Sequence, residues 1–144
     1  MTKMVNISSK KETRRLAVAR GEIVLKESTI DAIRGGRVEK GDVLRTAEVA
    51  GIMALKRTHE IVPLCHPLQI TGAEIKFALR KDKIVAECMV EAIYKTGVEM
   101  EALVGVSIAL LTIWDMVKYL EKDRSGNYPT TKVRDVVVVE KRKD

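Results

Sequence analysis

Four short stretches of this chain carry side chains that could do chemistry. Asp115 and Lys118 stand three residues apart at the end of an apolar run, close to one face of a helix. An acid placed there is costly unless it is paired or used. A carboxylate beside an ammonium in a partly desolvated place shifts both proton affinities and suits acid–base work, though a surface ion pair of little weight has the same spacing. Glu99 and Glu101, flanking Met100, open the same helix. They suit its dipole, and carboxylates also accept from the paired N–H donors of a guanine-like ring or hold a cation. In Ile61–Leu68, Cys65 and His66 lie between Pro63 and Pro67, which fix an extended shape. His66 suits proton transfer or ligand binding near neutral pH, or simply a satisfied turn. His59, Cys65 and His66 make a poor zinc set, since adjacent residues rarely chelate one ion and no fourth ligand is evident.

Lys40-Gly41-Asp42 precedes a helix, where a lysine and free N–H groups favour phosphate, but the Walker pattern is absent. Lys56-Arg57 and Arg14-Arg15 add positive charge. Cys88 falls on the apolar parity of a strand and reads as core.

The elements that must position these groups follow from patterning. Thr13–Leu25 reads as a strand, with alternation at Leu16 and Val18 and an apolar run Ile23–Leu25. Met4–Ser8 reads as a short strand or extended arm. Ser28 is expected to start a short helix with Asp31 as capping-box partner, ended by Gly35-Gly36. Asp42 is expected to cap a helix reaching about Arg57, whose Ala47, Ala50, Gly51 and Ala54 allow close packing. Leu68–Leu79 is a strand with a parity switch near Gly72, the sign of a bulge. Ile84–Tyr94 is its partner, with Ile84, Ala86, Cys88, Val90 and Ala92 on one face. The longest helix runs from about Val98 to Lys122, and a last strand covers Val133–Glu140, whose valines Val136–Val139 read as buried on both faces. Residues 141–143 read as a loose basic tail.

The order β-α-β-β-α-β gives an α+β, ferredoxin-like core: an antiparallel sheet with helices on one face, in one domain of 144 residues with short flexible tails. The run Ala102–Trp114 is apolar nearly all round, so a second burial partner and an oligomer are expected. At 13 residues it is shorter than a membrane span. Two cysteines cannot build a disulfide scaffold, and no signal-peptide pattern is evident, so the cytoplasm is the expected location. The net charge of +6 fits either nucleic acid or a phosphorylated small molecule. Aromatic residues make up only 3%, too few for base-stacking platforms, which favours the small molecule.

Lys40–Val43, Pro63–Leu68, Gly97–Leu103 and Thr112–Met116, four motifs in order, strongly resemble the MoaC family of cyclic pyranopterin monophosphate synthases. The resemblance covers about Met4 to Arg134. It implies a hexamer built as a trimer of dimers, with a pocket at a subunit interface. The implied reaction converts 3',8-cyclo-7,8-dihydroguanosine 5'-triphosphate to cyclic pyranopterin monophosphate and pyrophosphate in molybdenum cofactor biosynthesis. No redox cofactor is implied, and a magnesium ion is admitted only as an aid to the triphosphate. Nucleic acid and membrane are not implied partners. The implied catalytic residues are Asp115, Lys118 and Lys40. The implied substrate-binding residues are Leu64, Cys65, His66, Glu99, Met100 and Glu101, with Arg15 and Lys56 as candidates for the triphosphate.

Two departures stand out. Asn6 replaces the family's usual aspartate, in what reads as a structural position. The C-terminus lacks the family's glycine-rich segment with its active-site lysine, leaving Lys141 or Lys143 to replace it. The competing functions are an RNA-binding ferredoxin-like module, which needs stacking aromatics where only Phe77 and Tyr94 lie on strands, and a non-catalytic assembly protein in which Asp115–Lys118 is only an ion pair.

Overall fold

A computed structural model describes residues 1–144. The elements run β1 (Thr13–Val24), α1 (Glu27–Arg34), α2 (Val43–Leu55), α3 (Thr58–Ile61), β2 (Ile70–Leu79), β3 (Lys83–Tyr94), α4 (Glu99–Glu121) and β4 (Lys132–Lys143). The four strands form one antiparallel sheet in the order β2-β3-β1-β4. This is the expected ferredoxin-like arrangement, with α1 and α3 as short additions. The parity switch in β2 is a register shift between Ile70 and Gly72. It lets Ile75 and Phe77 turn inward beside Cys88 and Ala86.

The core lies between the sheet and α4. Ile84, Ala86, Cys88, Val90 and Ala92 of β3 are fully buried, as their alternation implies. On β1 the core face is Ala17, Ala19 and Ile23, which pair directly with Val90, Cys88 and Ile84. The alternation of Leu16 and Val18 therefore marks the opposite face, because alanines carry too little hydrophobic signal to compete. Small residues are needed on the inner side: a Cβ on Gly21 would sit 2.8 Å from Leu110 Cδ1.

Asp42 caps α2 by accepting from the Arg45 N–H at 3.0 Å. As its small residues suggest, α2 lies hard against α4, since a Cβ on Gly51 would meet the Gly105 carbonyl oxygen at 2.8 Å. By length and composition alone α4 could cross a bilayer. In this fold one side is covered by the sheet and another by α2, while Leu111 stays 52% exposed.

Several local expectations need correction. Helix α1 starts at Glu27, not Ser28, and no side chain of its own caps it. The buried Glu121 carboxylate serves instead, accepting from the Lys26 N–H at 3.1 Å and the Thr29 hydroxyl at 2.5 Å. The Thr131 hydroxyl donates to its other oxygen at 2.6 Å, so one acid ties α1, α4 and the lead into β4 together. Residues 141–143 are no loose tail, because β4 continues through them and pairs Lys141 with Ala17 and Lys143 with Arg15. Val136–Val139 are not buried on both faces: β4 is an edge strand, and these valines are 36–43% exposed. Met4–Ser8 is an extended arm with no strand pairing.

Candidate active site

Helix α4 carries chemistry at both ends. Near its C-terminal end, Asp115 is exposed and sits between two cations. Lys40 Nζ donates to Asp115 Oδ2 and to the Asp115 carbonyl oxygen, each at 3.1 Å. Lys118 Nζ lies 3.2 Å from Oδ1, the i,i+3 partner that the spacing implied. Lys40, followed by Lys118, holds the Asp115 carboxyl below the usual carboxylate range. The group is therefore ionised at neutral pH, a base with two ammonium neighbours.

Lys40 reaches this position from the loop before α2. Gly41, at φ +114°, turns the chain there, in a conformation that suits glycine. Tyr119, one helical turn beyond Asp115, holds the same loop: its hydroxyl oxygen accepts from the Glu39 N–H at 2.7 Å. Sequence reasoning missed Tyr119. Its only signal was the i,i+4 spacing from Asp115, which many surface tyrosines share.

The other end is a different environment. Leu64, Cys65, His66, Gly97, Glu99 and Met100 line a cavity of about 490 Å³ together with the N-terminal arm. Glu101 lies behind it, 3% exposed, with Oε1 unpartnered and Oε2 3.8 Å from Cys65 Sγ. Burial raises the Glu101 carboxyl above its ordinary range. Burial, with Glu101 next, also raises the Cys65 thiol, which keeps it protonated and a poor nucleophile. Cys88 is pushed up to about 12 by burial alone, as befits a core residue.

Glu99 is met by Lys141, whose Nζ lies 3.3 Å from Oε1. Both C-terminal lysines lie on the helix-facing side of β4, paired with Ala17 and Arg15, but only Lys141 forms an ion pair with the cluster. Arg15 pairs with core-facing Ala92 and so lies on the same side. It is 8% exposed, donates to the Lys95 carbonyl oxygen at 3.3 Å, and leaves Nε unpartnered. Lys56 stands apart, exposed on a groove beside β2 with Ile52 and Leu68.

Two sets of residues thus assemble, and they do not meet within one chain. Glu99 to Asp115 is 16 residues of continuous helix, about 24 Å at 1.5 Å per residue. No three His, Cys, Asp or Glu side chains converge as a metal-binding group. Phe77 and Tyr94 both lie on the helix-facing parity of their strands, Phe77 paired with Ala86 and Tyr94 two residues past Ala92. The open face of the sheet therefore offers no aromatic platform for RNA.

The profile of the MoaC family matches residues 4–144. A "probable cyclic pyranopterin monophosphate synthase" of Pyrococcus furiosus is 57% identical over 99% of this chain and 91% of its own length. A protein of the same name from Thermococcus onnurineus is 54% identical over the same shares. A "probable cyclic pyranopterin monophosphate synthase accessory protein" of Methanothermobacter thermautotrophicus is 54% identical over 98% of this chain and 89% of its own length.

Proposed function

The chain belongs to the MoaC family, and from that premise we propose that it is a lyase of molybdenum cofactor biosynthesis. It converts 3',8-cyclo-7,8-dihydroguanosine 5'-triphosphate to cyclic pyranopterin monophosphate and pyrophosphate. The observation that carries this reading is the ionised Asp115 held between Lys40 and Lys118. Rearranging a guanine-derived ring requires protons to be taken and returned, and a carboxylate flanked by ammonium groups does both. Closing the cyclic phosphate requires a sugar hydroxyl to attack the α-phosphorus while the bond to the β-phosphate oxygen breaks. The hydroxyl proton goes to a base, and pyrophosphate leaves with its charge met by preorganised cations. Lys40 and Lys118 supply that charge at one end, Arg15 and Lys141 at the other. Glu101, buried and with one oxygen free, suits the N–H edge of the guanine-derived ring.

The two ends of α4 act together only if they come from different subunits. A homo-oligomer, as a hexamer built of dimers, brings the start of α4 in one subunit to Asp115 of another. Exposed apolar residues give such an assembly its surfaces: Val49 and Met53 on α2, Leu111 on α4, and Val136–Val139 on β4. No redox cofactor takes part. Magnesium enters with the substrate, coordinated by the triphosphate oxygens, since the chain gathers no carboxylate cage of its own. Unpaired Cys65 and Cys88 suit a reducing cytoplasm.

The test is turnover. Purified protein mixed with the cyclic dihydroguanosine triphosphate releases pyrophosphate and pyranopterin, and Asp115→Asn abolishes both. A folded wild type that releases no pyrophosphate overturns the assignment. Full activity in Asp115→Asn supports a non-catalytic role for the ion pair.

A further inference from the structure

The N-terminal arm is unpaired with the sheet, yet it is held at a defined place. His66 Nε2 lies 2.7 Å from the Val5 carbonyl oxygen. A carbonyl only accepts, so Nε2 carries the hydrogen and the ring is the donor. Asn6 Oδ1 accepts from the Ser8 N–H at 2.8 Å and the Ser8 hydroxyl at 2.6 Å, and the Lys10 N–H donates to the Ile7 carbonyl oxygen at 3.1 Å. The arm thus turns back on itself just after its bond to His66. Lys3 and Lys10, on either side of that turn, line the same cavity as Leu64, His66 and Glu99.

The charge balance of this cavity is one-sided. Neither Lys3 nor Lys10 forms an ion pair. Glu99 is the only carboxylate in the lining, and Lys141 meets its Oε1, while its Oε2 is buried without a partner. Two unpaired ammonium groups facing a concave site whose single carboxylate already has its own cation match a polyanion, and a triphosphate is one.

We propose that residues 3–10 form a clamp of the substrate-binding half-site, in which Lys3 and Lys10 bind the phosphate chain and His66 latches the arm through Val5. This rests on the function proposed above for the nature of the substrate, but the arm can be tested without turnover. The probe is inorganic tripolyphosphate, titrated calorimetrically into the full-length protein. Lys3→Ala/Lys10→Ala weakens its binding about tenfold, as loss of two partly exposed charge contacts should. Lys3→Arg/Lys10→Arg keeps the affinity. Arg80→Ala/Lys81→Ala, an equal charge loss in the turn between β2 and β3 at the far end of the sheet, leaves it unchanged. Wild type that fails to bind tripolyphosphate overturns the clamp, as does a Lys3→Ala/Lys10→Ala protein that matches the far-end control.

Steady-state kinetics give the second readout. The alanine pair raises KM about tenfold with kcat within about twofold, the pattern for loss of binding shared by ground and transition states. A fall in kcat at unchanged KM overturns the clamp. Absence of pyrophosphate release by wild type overturns the proposed reaction instead, and the tripolyphosphate titration still decides the arm.

Discussion

The two ends of α4 hold carboxylates of opposite character. Glu101 is sealed in, short of a partner, and raised by burial. Asp115 is open to solvent, saturated with cations, and lowered by them. One helix thus presents a carboxyl whose charge burial disfavours and a carboxylate whose charge its cations favour. Two acids driven apart in proton affinity are what a sequence of proton removals and returns requires. The Glu101 end has its own cover in the arm and the Pro63–Pro67 segment, whereas the Asp115 end has none within the chain.

The sharpest way to break this contrast is Asp115→Asn. Activity should fall by about 10²–10⁴, the worth of a positioned general base, while Tm moves by no more than ~2 °C because the group is exposed. A large loss of Tm would make Asp115 structural. The next largest effect tests whether the two ends come from different subunits. Asp115→Asn and Glu101→Gln proteins, each nearly inactive, are unfolded together and reassembled. If each site takes one end of α4 from each of two subunits, about a quarter of the sites recover both intact ends. Pyrophosphate release at background level in the mixture would place both ends in one subunit.

Much of this contrast was legible in the sequence, and the exceptions have physical reasons. Asp42 as a cap and Gly72 as a bulge are local signals, and both hold because their partners lie within a few residues or across one strand pair. The start of α1 was misplaced because its cap is Glu121, 95 residues beyond Lys26, and no window along the chain reveals that contact. The core face of β1 was hidden because close approach of α4 selects alanine and glycine, which look neutral in any hydrophobic pattern. The valines of β4 read as doubly buried because hydrophobicity does not say whether a neighbouring strand exists. At the site, Asp115, Lys118, Glu101 and His66 stood out by type and setting. The register of β4 against β1 puts Lys141 and Lys143 on one face, and the choice of Lys141 needed its contact with Glu99, 42 residues away in the chain. Asn6 is explained by its use: only an acceptor oxygen is required, and an amide supplies one as well as a carboxylate does.

A smaller effect tests how the open end is held. Tyr119→Phe removes the acceptor for the Glu39 N–H and loosens the loop that carries Lys40. We expect kcat to fall about three- to tenfold, as misplacement of a charged group implies. Lys40 is the main cause of the lowered Asp115 carboxyl, so loosening it lets that carboxyl return toward its ordinary value. The acid limb of the pH–rate profile therefore moves to higher pH. A tyrosine that only stabilised the fold would lower Tm and leave the limb in place.

The smallest effect lies in stability at the closed end. Burial raises the Glu101 carboxyl in the folded chain above its value of about 4.3 in the unfolded one. The unfolded chain therefore loses its proton first as pH rises. Stability that is fully present below that unfolded value is given up as pH climbs through the folded one. Glu101→Gln does not titrate and escapes this loss. The variant should melt ~2–4 °C above wild type at pH 7, and the gain should shrink toward zero near pH 4, measured by calorimetry across that range. The same exchange of carboxylate for amide at Asp115 brings no such gain, because Lys40 and Lys118 favour the charge there. A gain for Glu101→Gln that does not vary with pH, or a loss at pH 7, would mean that the buried carboxylate has a partner holding it charged, and the contrast between the two ends of α4 would fail.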